Sequence, residues 1–114
     1  MEILIVDDSP EMRALVRDYV RALRPHAKIR TSPNAETALA EIGRKSPDIV
    51  LMDIRMDGMD GLEATRAITQ QYPGIRVVIV TQYADRVLRD EAIAAGAVGF
   101  VSKSSLQDLS VYIV

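Results

Sequence analysis

The chain has 114 residues, enough for one ordinary domain and too few to add a catalytic one. Its 14 basic residues stand against 16 acidic ones with no block of like charge, which argues against nucleic acid or an anionic membrane as a direct partner. Cysteine is absent, so disulfides and thiolate metal sites are excluded, any metal must be held by oxygen, and a reducing, cytoplasmic location is expected. No apolar run approaches the length of a membrane span or forms a signal-peptide core.

Along the chain, Ile3-Leu4-Ile5-Val6 is short, β-branched and without alternation, which predicts a strand buried on both faces. Met12, Leu15, Val16, Tyr19, Val20 and Leu23 follow at helical spacing behind Ser9 as cap and Pro10 in the first turn. Lys28-Ile29-Arg30-Thr31 alternates, as a charged edge strand does. A second helix with Ala35, Ala38, Leu39 and Ile42 is expected to open at Asn34 and close at Gly43 in the left-handed conformation. Ile49-Val50-Leu51-Met52 and Val77-Val78-Ile79-Val80 are further buried strands, separated by a helix that follows Asp60-Gly61 and stops before Pro73-Gly74. A fourth helix is expected over about residues 84 to 95, with Val87, Leu88, Ala92 and Ala95 on its inner side and Gly96 at its end. Because it has few large apolar groups, it should dock shallowly and move easily. Val98-Gly99-Phe100-Val101 is a fifth, weaker strand.

Five β-α repeats call for a parallel sheet with right-handed crossovers. The expected architecture is a flavodoxin-like three-layer α/β fold, (βα)5, with strand order 2-1-3-4-5 and all of residues 1–114 in one domain. In that order the functional crevice lies beyond the carboxyl ends of the first and third strands.

Four segments deliver polar residues to that crevice: Asp7-Asp8 after the first strand, Asp53 after the third, Thr81 after the fourth and Lys103 just past the fifth. One such residue would often be a helix cap and nothing more. Five together, with a single lysine among three carboxylates, point to chemistry. Each carboxylate pair repels by about 4 kcal/mol at ~4 Å and an effective dielectric near 20, more than Lys103 alone balances. Mg²⁺ suits such a site, with Asp7 and Asp8 as the holding pair. Asp53, beside both the metal and Lys103, reads as a nucleophile toward phosphorus, and the Thr81 hydroxyl as a donor to a phosphoryl oxygen.

Asp7-Asp8 after an apolar strand, the segment from Asp53 to Gly61, Val80-Thr81, and the run from Gly96 to Lys103 together resemble the receiver domain of bacterial two-component response regulators. The Thr81-Gln82-Tyr83 and Gly99-Phe100-Val101 segments are similar to the subgroup with a helix-turn-helix DNA-binding output domain. The resemblance implies that Asp53 is the phosphoacceptor. It implies that Asp8, the backbone carbonyl of Arg55, and Asp7 directly or through water serve Mg²⁺, beside Asp53 itself. It gives phosphate contacts to Thr81 and Lys103, with a resting Lys103–Asp53 pair, and a switch role to Thr81 and Phe100. A sensor histidine kinase would be the donor. The surface of the fourth helix, fifth strand and fifth helix would carry the message, with a homodimer through that face among its uses. The domain would assist its own phosphorylation and dephosphorylation without being an enzyme, and any DNA contact would belong to an output domain outside this chain.

Several positions depart from the family. Asp57 stands where proline is usual, which predicts a more mobile loop after the third strand and a stronger dependence on Mg²⁺. Gln82 replaces a very small residue and narrows access, while Arg55 and Tyr83, two residues past Asp53 and Thr81, would gate attacking water and slow hydrolysis. After Lys103 only Leu106, Leu109 and Ile113 supply a helical face, so a short or frayed fifth helix is expected. The β-like composition of Ser110-Val111-Tyr112-Ile113-Val114 would let it fray, swap or pair with another chain. These departures keep open a second reading, a degenerate receiver acting as an interaction or dimerisation module without phosphorylation. A small-molecule phosphatase is a third.

Other readings of the same residues fail. A calcium loop starting at Asp53 has Arg55 at its third position and Ala64 where a bidentate Glu is required. A haloacid-dehalogenase-like phosphatase needs a second acid where Arg55 stands, and a flavin-phosphate loop would not place two acids after the first strand. His26, the one histidine, lies before the edge strand and far from the predicted crevice, as a solvated loop residue.

Overall fold

The computed structural model describes residues 1–83 and 85–113. Five strands, β1 (Glu2–Val6), β2 (Lys28–Ser32), β3 (Ile49–Met52), β4 (Arg76–Thr81) and β5 (Gly99–Ser102), form one sheet in the order β2-β1-β3-β4-β5, with every neighbouring pair parallel. Its order reverses between β1 and β3, and so opens a crevice where Val6 and Met52 end side by side.

Strand residues point alternately to the two faces, so each buried strand feeds two cores. Ile3, Ile5, Ile49, Leu51, Val78, Val80 and Val101 face α1 (Pro10–Leu23) and a terminal 3-10 helix (Leu106–Val111). Leu4, Val6, Val50, Met52, Val77 and Ile79 face α2 (Ala35–Arg44), α3 (Gly61–Gln71) and α4 (Arg86–Ala94). This two-sided burial accounts for runs of unbroken Ile, Val and Leu, and the half-exposed β2 for its alternation.

The helices start where side chains take up orphan amides: Ser9 accepts from Met12 N, Asn34 from Thr37 N, Asp60 from Glu63 N and Asp85 from Leu88 N. The last of these caps opens α4, and Ala84, where this helix is expected to begin, lies outside the described residues. Gly96 ends α4 at φ +103 as expected. Gly43 does not end α2. It lies inside the helix, which runs on to Arg44 because Lys45, in extended conformation, still donates its N–H to Glu41 O.

Two apolar positions expected to face inward do not. Leu15 is 51% exposed on α1, and Val87 is 66% exposed on α4, where only Ala92 is fully buried within the helix. The shallow docking of α4 is therefore observed, with Leu88 as its main partly buried contact. Val98, expected in the last strand, precedes it, exposed, and donates its N–H to Val77 O.

The end of the chain is not β-like. Residues Leu106–Val111 wind into a 3-10 helix that seats Leu109 and, just past it, Ile113 in the α1-side core. Tyr112 lies over Gly99, where a Cβ would fall 2.3 Å from Cζ of the ring, and Arg76 Nη1 donates to Tyr112 O at 3.2 Å. Val114 lies outside the described residues.

Candidate functional site

β1 leads straight into Asp7 and Asp8. Asp7 is buried, and its two carboxylate oxygens have different duties: Oδ1 accepts the Ser9 N–H at 2.9 Å and Oδ2 accepts Lys103 Nζ at 2.7 Å. Asp7 thus holds both the N–H of the α1 cap residue, Ser9, and the site lysine. Asp8 points out to solvent. From the adjacent strand, Asp53 is also buried; its backbone N–H donates to Val6 O, and its Oδ1 accepts the Ile54 N–H at 2.9 Å. One oxygen from each of Asp7, Asp8 and Asp53 lies within 4.8 Å of the others.

Lys103 reaches this cluster from beyond β5, with its Nζ 3.4 Å from Asp53 Oδ2. The expected resting pair with Asp53 is therefore secondary, because the shorter contact is to Asp7. Asp7 and Asp53 carry two buried negative charges against one lysine. Burial, and next the charge of Asp7, push the Asp53 carboxyl from 3.8 up to about 6, while Lys103 and the Ile54 N–H pull the other way. The cluster is short of positive charge.

Thr81 closes β4, fully buried, and the Lys103 N–H donates to its carbonyl at 2.8 Å, which ties the two residues together through the backbone. Its Oγ1 accepts the Tyr83 N–H at 3.1 Å, leaving the hydroxyl proton available to another acceptor. Arg55 and Tyr83, paired in the sequence reading by their offsets, do meet: the guanidinium carbon lies 4.4 Å from the ring centroid, a cation–π stack. Gln82 Nε2 reaches Tyr83 Oη at 3.4 Å. Phe100 is half-buried on β5 and borders a groove of about 540 Å³ between α4 and the 3-10 helix. His26 sits exposed in the turn before β2.

Two residues near the site, Arg13 and Glu36, belong to no motif of the sequence, and Gly61 stands there only as the end of the Asp53–Gly61 segment and the start of a helix. Arg13 Nη1 donates to Asp7 O at 2.7 Å and braces the turn carrying both acids; a basic residue one turn into α1 was its only trace. Gly61 opens α3 so close to β3 that a Cβ would lie 1.9 Å from Asp53 O and 2.8 Å from Asp53 C. Glu36, in the first turn of α2, accepts the Met59 N–H at 3.2 Å. This contact ties the β3–α3 segment to α2, and Gly61 N donates to Ile54 O at 2.8 Å at its far end.

Known proteins share this fold. The family model for the response regulator receiver domain matches residues 3–113. The chain is 40% identical over 105 residues to protein-glutamate methylesterase/protein-glutamine glutaminase 3 of Hahella chejuensis, covering 90% of this chain and 30% of that protein. It is 33% identical over 105 residues to transcriptional activator protein ExaE of Pseudomonas putida, covering 92% of this chain and 49% of that protein. A LuxR-family two-component response regulator from Aurantimonas sp. SI85-9A1 superposes with a TM-score of 0.89 at 32% identity, over 98% of this chain and 84% of that one. The chain thus spans less than half of either of the first two relatives, whose names describe different activities. What they have in common with it is the stretch that carries the acidic crevice, and by that stretch and its fold the chain belongs to the response regulator receiver domains.

Proposed function

We propose that the chain is a phosphorylation-dependent switch in which Asp53 takes a phosphoryl group from the phosphohistidine of a sensor histidine kinase in the cytoplasm. The observation that carries this reading is the convergence of Asp7, Asp8 and Asp53 within 4.8 Å, with Lys103 Nζ against the two buried acids. The donor set fits Mg²⁺. All its atoms are hard oxygens, and two buried carboxylates, with Asp8 beside them, face a single lysine. Asp7, Asp8, Asp53 and the carbonyl of Arg55 would hold the ion, which when bound supplies charge neutralisation for the transferring group.

Within that site an Asp53 carboxylate oxygen attacks phosphorus, the O–P bond forms, the P–N bond to the kinase histidine breaks, and imidazole leaves with the electron pair. Lys103 Nζ, held by Asp7, donates to a phosphoryl oxygen. Thr81 turns its hydroxyl toward the new oxygens, giving up the Tyr83 N–H as its Oγ1 moves. Phe100 swings into the space that Thr81 leaves, and α4, held by little more than Ala92 and Leu88, shifts with it. The stacked Arg55 and Tyr83, with Gln82, cover the path of attacking water and prolong the aspartyl phosphate.

The message leaves through the α4–β5–terminal-helix face, where Asp85, Arg86, Arg89, Asp90 and Asp108 surround Phe100 with both signs of charge, suited to a homodimer. Contact with DNA, where it occurs, runs through an output domain outside these residues.

Beryllofluoride or acetyl phosphate with Mg²⁺ tests the reading. A one-to-one adduct that disappears in Asp53→Asn is expected. No adduct on the unaltered chain would instead mark a receiver used only for protein interaction, and repeated turnover of unrelated phosphate esters a phosphatase.

A further inference from the structure

Asp57 and Gly58 lie in the loop that carries Arg55, whose carbonyl is assigned above to the metal. Gly58 has φ +83, the value that a type II turn asks of its third residue, and such turns favour proline just before it. Here that place is held by Asp57, whose φ is unrestrained by a ring. Something else must fix the turn, and the neighbouring helix provides it. Glu36 Oε2 accepts the Met59 N–H at 3.2 Å and lies 2.7 Å from where a Cβ on Gly58 would sit, so the carboxylate occupies the space that the glycine leaves.

The start of α2, which carries Glu36, is anchored. Asn34 caps α2 through Thr37 N at 2.7 Å, Ser32 Oγ donates to Asn34 O at 3.1 Å, and Asp7 N donates to Ser32 O at 3.2 Å. Hydrogen bonds therefore tie the first acid of the crevice to the end of β2 and the first turn of α2, from which Glu36 reaches the loop beyond Asp53. On the other side of Arg55, Ile54 N is bound by Asp53 Oδ1.

We propose that Glu36 is a positioning residue: its carboxylate replaces the missing proline ring, fixes the β3–α3 loop, and so presents the Arg55 carbonyl to Mg²⁺. This rests on the phosphoacceptor reading above. A purely structural role for Glu36 also exists, because a carboxylate in the first turn of a helix stabilises the helix dipole. The two are separable. Glu36→Gln removes the charge and keeps an acceptor oxygen, whereas Glu36→Ala removes both.

The test is calorimetric titration with Mg²⁺ alone, together with hydrogen exchange at the Met59 amide. Glu36→Ala should speed exchange at Met59 and weaken Mg²⁺ binding by about 10-fold, the lower range for losing a group that orients a metal ligand. Glu36→Gln should keep both within about 2-fold of the unaltered chain, and Asp57→Pro placed in the Glu36→Ala background should restore Mg²⁺ affinity, since a ring then does what the carboxylate did. Unchanged Mg²⁺ affinity in Glu36→Ala would overturn the inference alone, as would a loss of equal size in Glu36→Gln. If the unaltered chain takes up no Mg²⁺ at all, the phosphoacceptor reading falls and this inference with it.

Discussion

Asp53 is a carboxyl group that folding places where its charge is unwelcome. Its ionisation is pushed from 3.8 up to about 6 by burial and by Asp7, so between those values the folded chain holds a proton that the unfolded chain has lost. Stability without metal should accordingly fall as pH rises from about 4 to about 6, by on the order of 3 kcal/mol for a shift of this size. Urea unfolding in EDTA across that window, for the unaltered chain and Asp53→Asn, isolates the contribution: the variant should lack the decline and be the more stable form at neutral pH. Parallel pH profiles would show that Lys103 already balances the site. The acids, Thr81 and Lys103 were visible in the sequence because each stands at or within two residues of the end of an apolar run. The preference of Lys103 for Asp7 was not, since it depends on which carboxylate the side chain meets after crossing from β5.

At the scale of elements, α3 is pressed against the end of β3 by Gly61. A methyl group there would meet backbone atoms of Asp53 and Ile54, which cannot move aside as a flexible side chain would. Gly61→Ala is therefore expected to cost about 2–4 kcal/mol, in the upper range for a point substitution, and to displace the loop at Asp53. Thermal unfolding should register the first effect and loss of beryllofluoride uptake the second; a normal adduct at normal stability would show that α3 slides freely. Helix starts at Ser9 and Asn34 were legible because capping is a local matter of one side chain and an amide a few residues on. The end of α2 was misread because Gly43 permits a left-handed turn without requiring one, and the hydrogen bond from Lys45 N to Glu41 O continues the helix past it.

For the whole molecule, the short ending is part of the core. Leu109 and Ile113 are almost completely buried against α1 and the β1, β3 and β4 residues of that face. Leu109→Ala should destabilise the domain by about 2–5 kcal/mol, with the denaturation midpoint shifted and the slope unchanged. A substitution at exposed Val111 should leave the midpoint within about 0.5 kcal/mol of its starting stability. Equal effects at the two positions would mean that the terminal helix is not packed in solution. On the opposite face, α4 has less to hold it than α1 or α3, which leaves the α4–β5 edge as the element most easily shifted.

By itself the sequence determined the five strands, their parallel order and the meeting of Asp7, Asp8, Asp53, Thr81 and Lys103 at one end of the sheet. Apolar period, strand length and crossover handedness are repeated constraints that leave a handful of topologies, and the spacing of the polar residues resembles the one with order 2-1-3-4-5. Tertiary structure alone decided how those groups pair, that Glu36 and Arg13 brace the loops around them, and that Ile113 turns inward instead of extending as a strand. Each of these depends on a contact between segments distant in sequence, where a single exposed Glu or a final Ile carries no periodic pattern. The Asp57 loop joins the two cases: its missing proline can be read in the chain, while the carboxylate that occupies the space beside Gly58 becomes apparent only when α2 is packed against it.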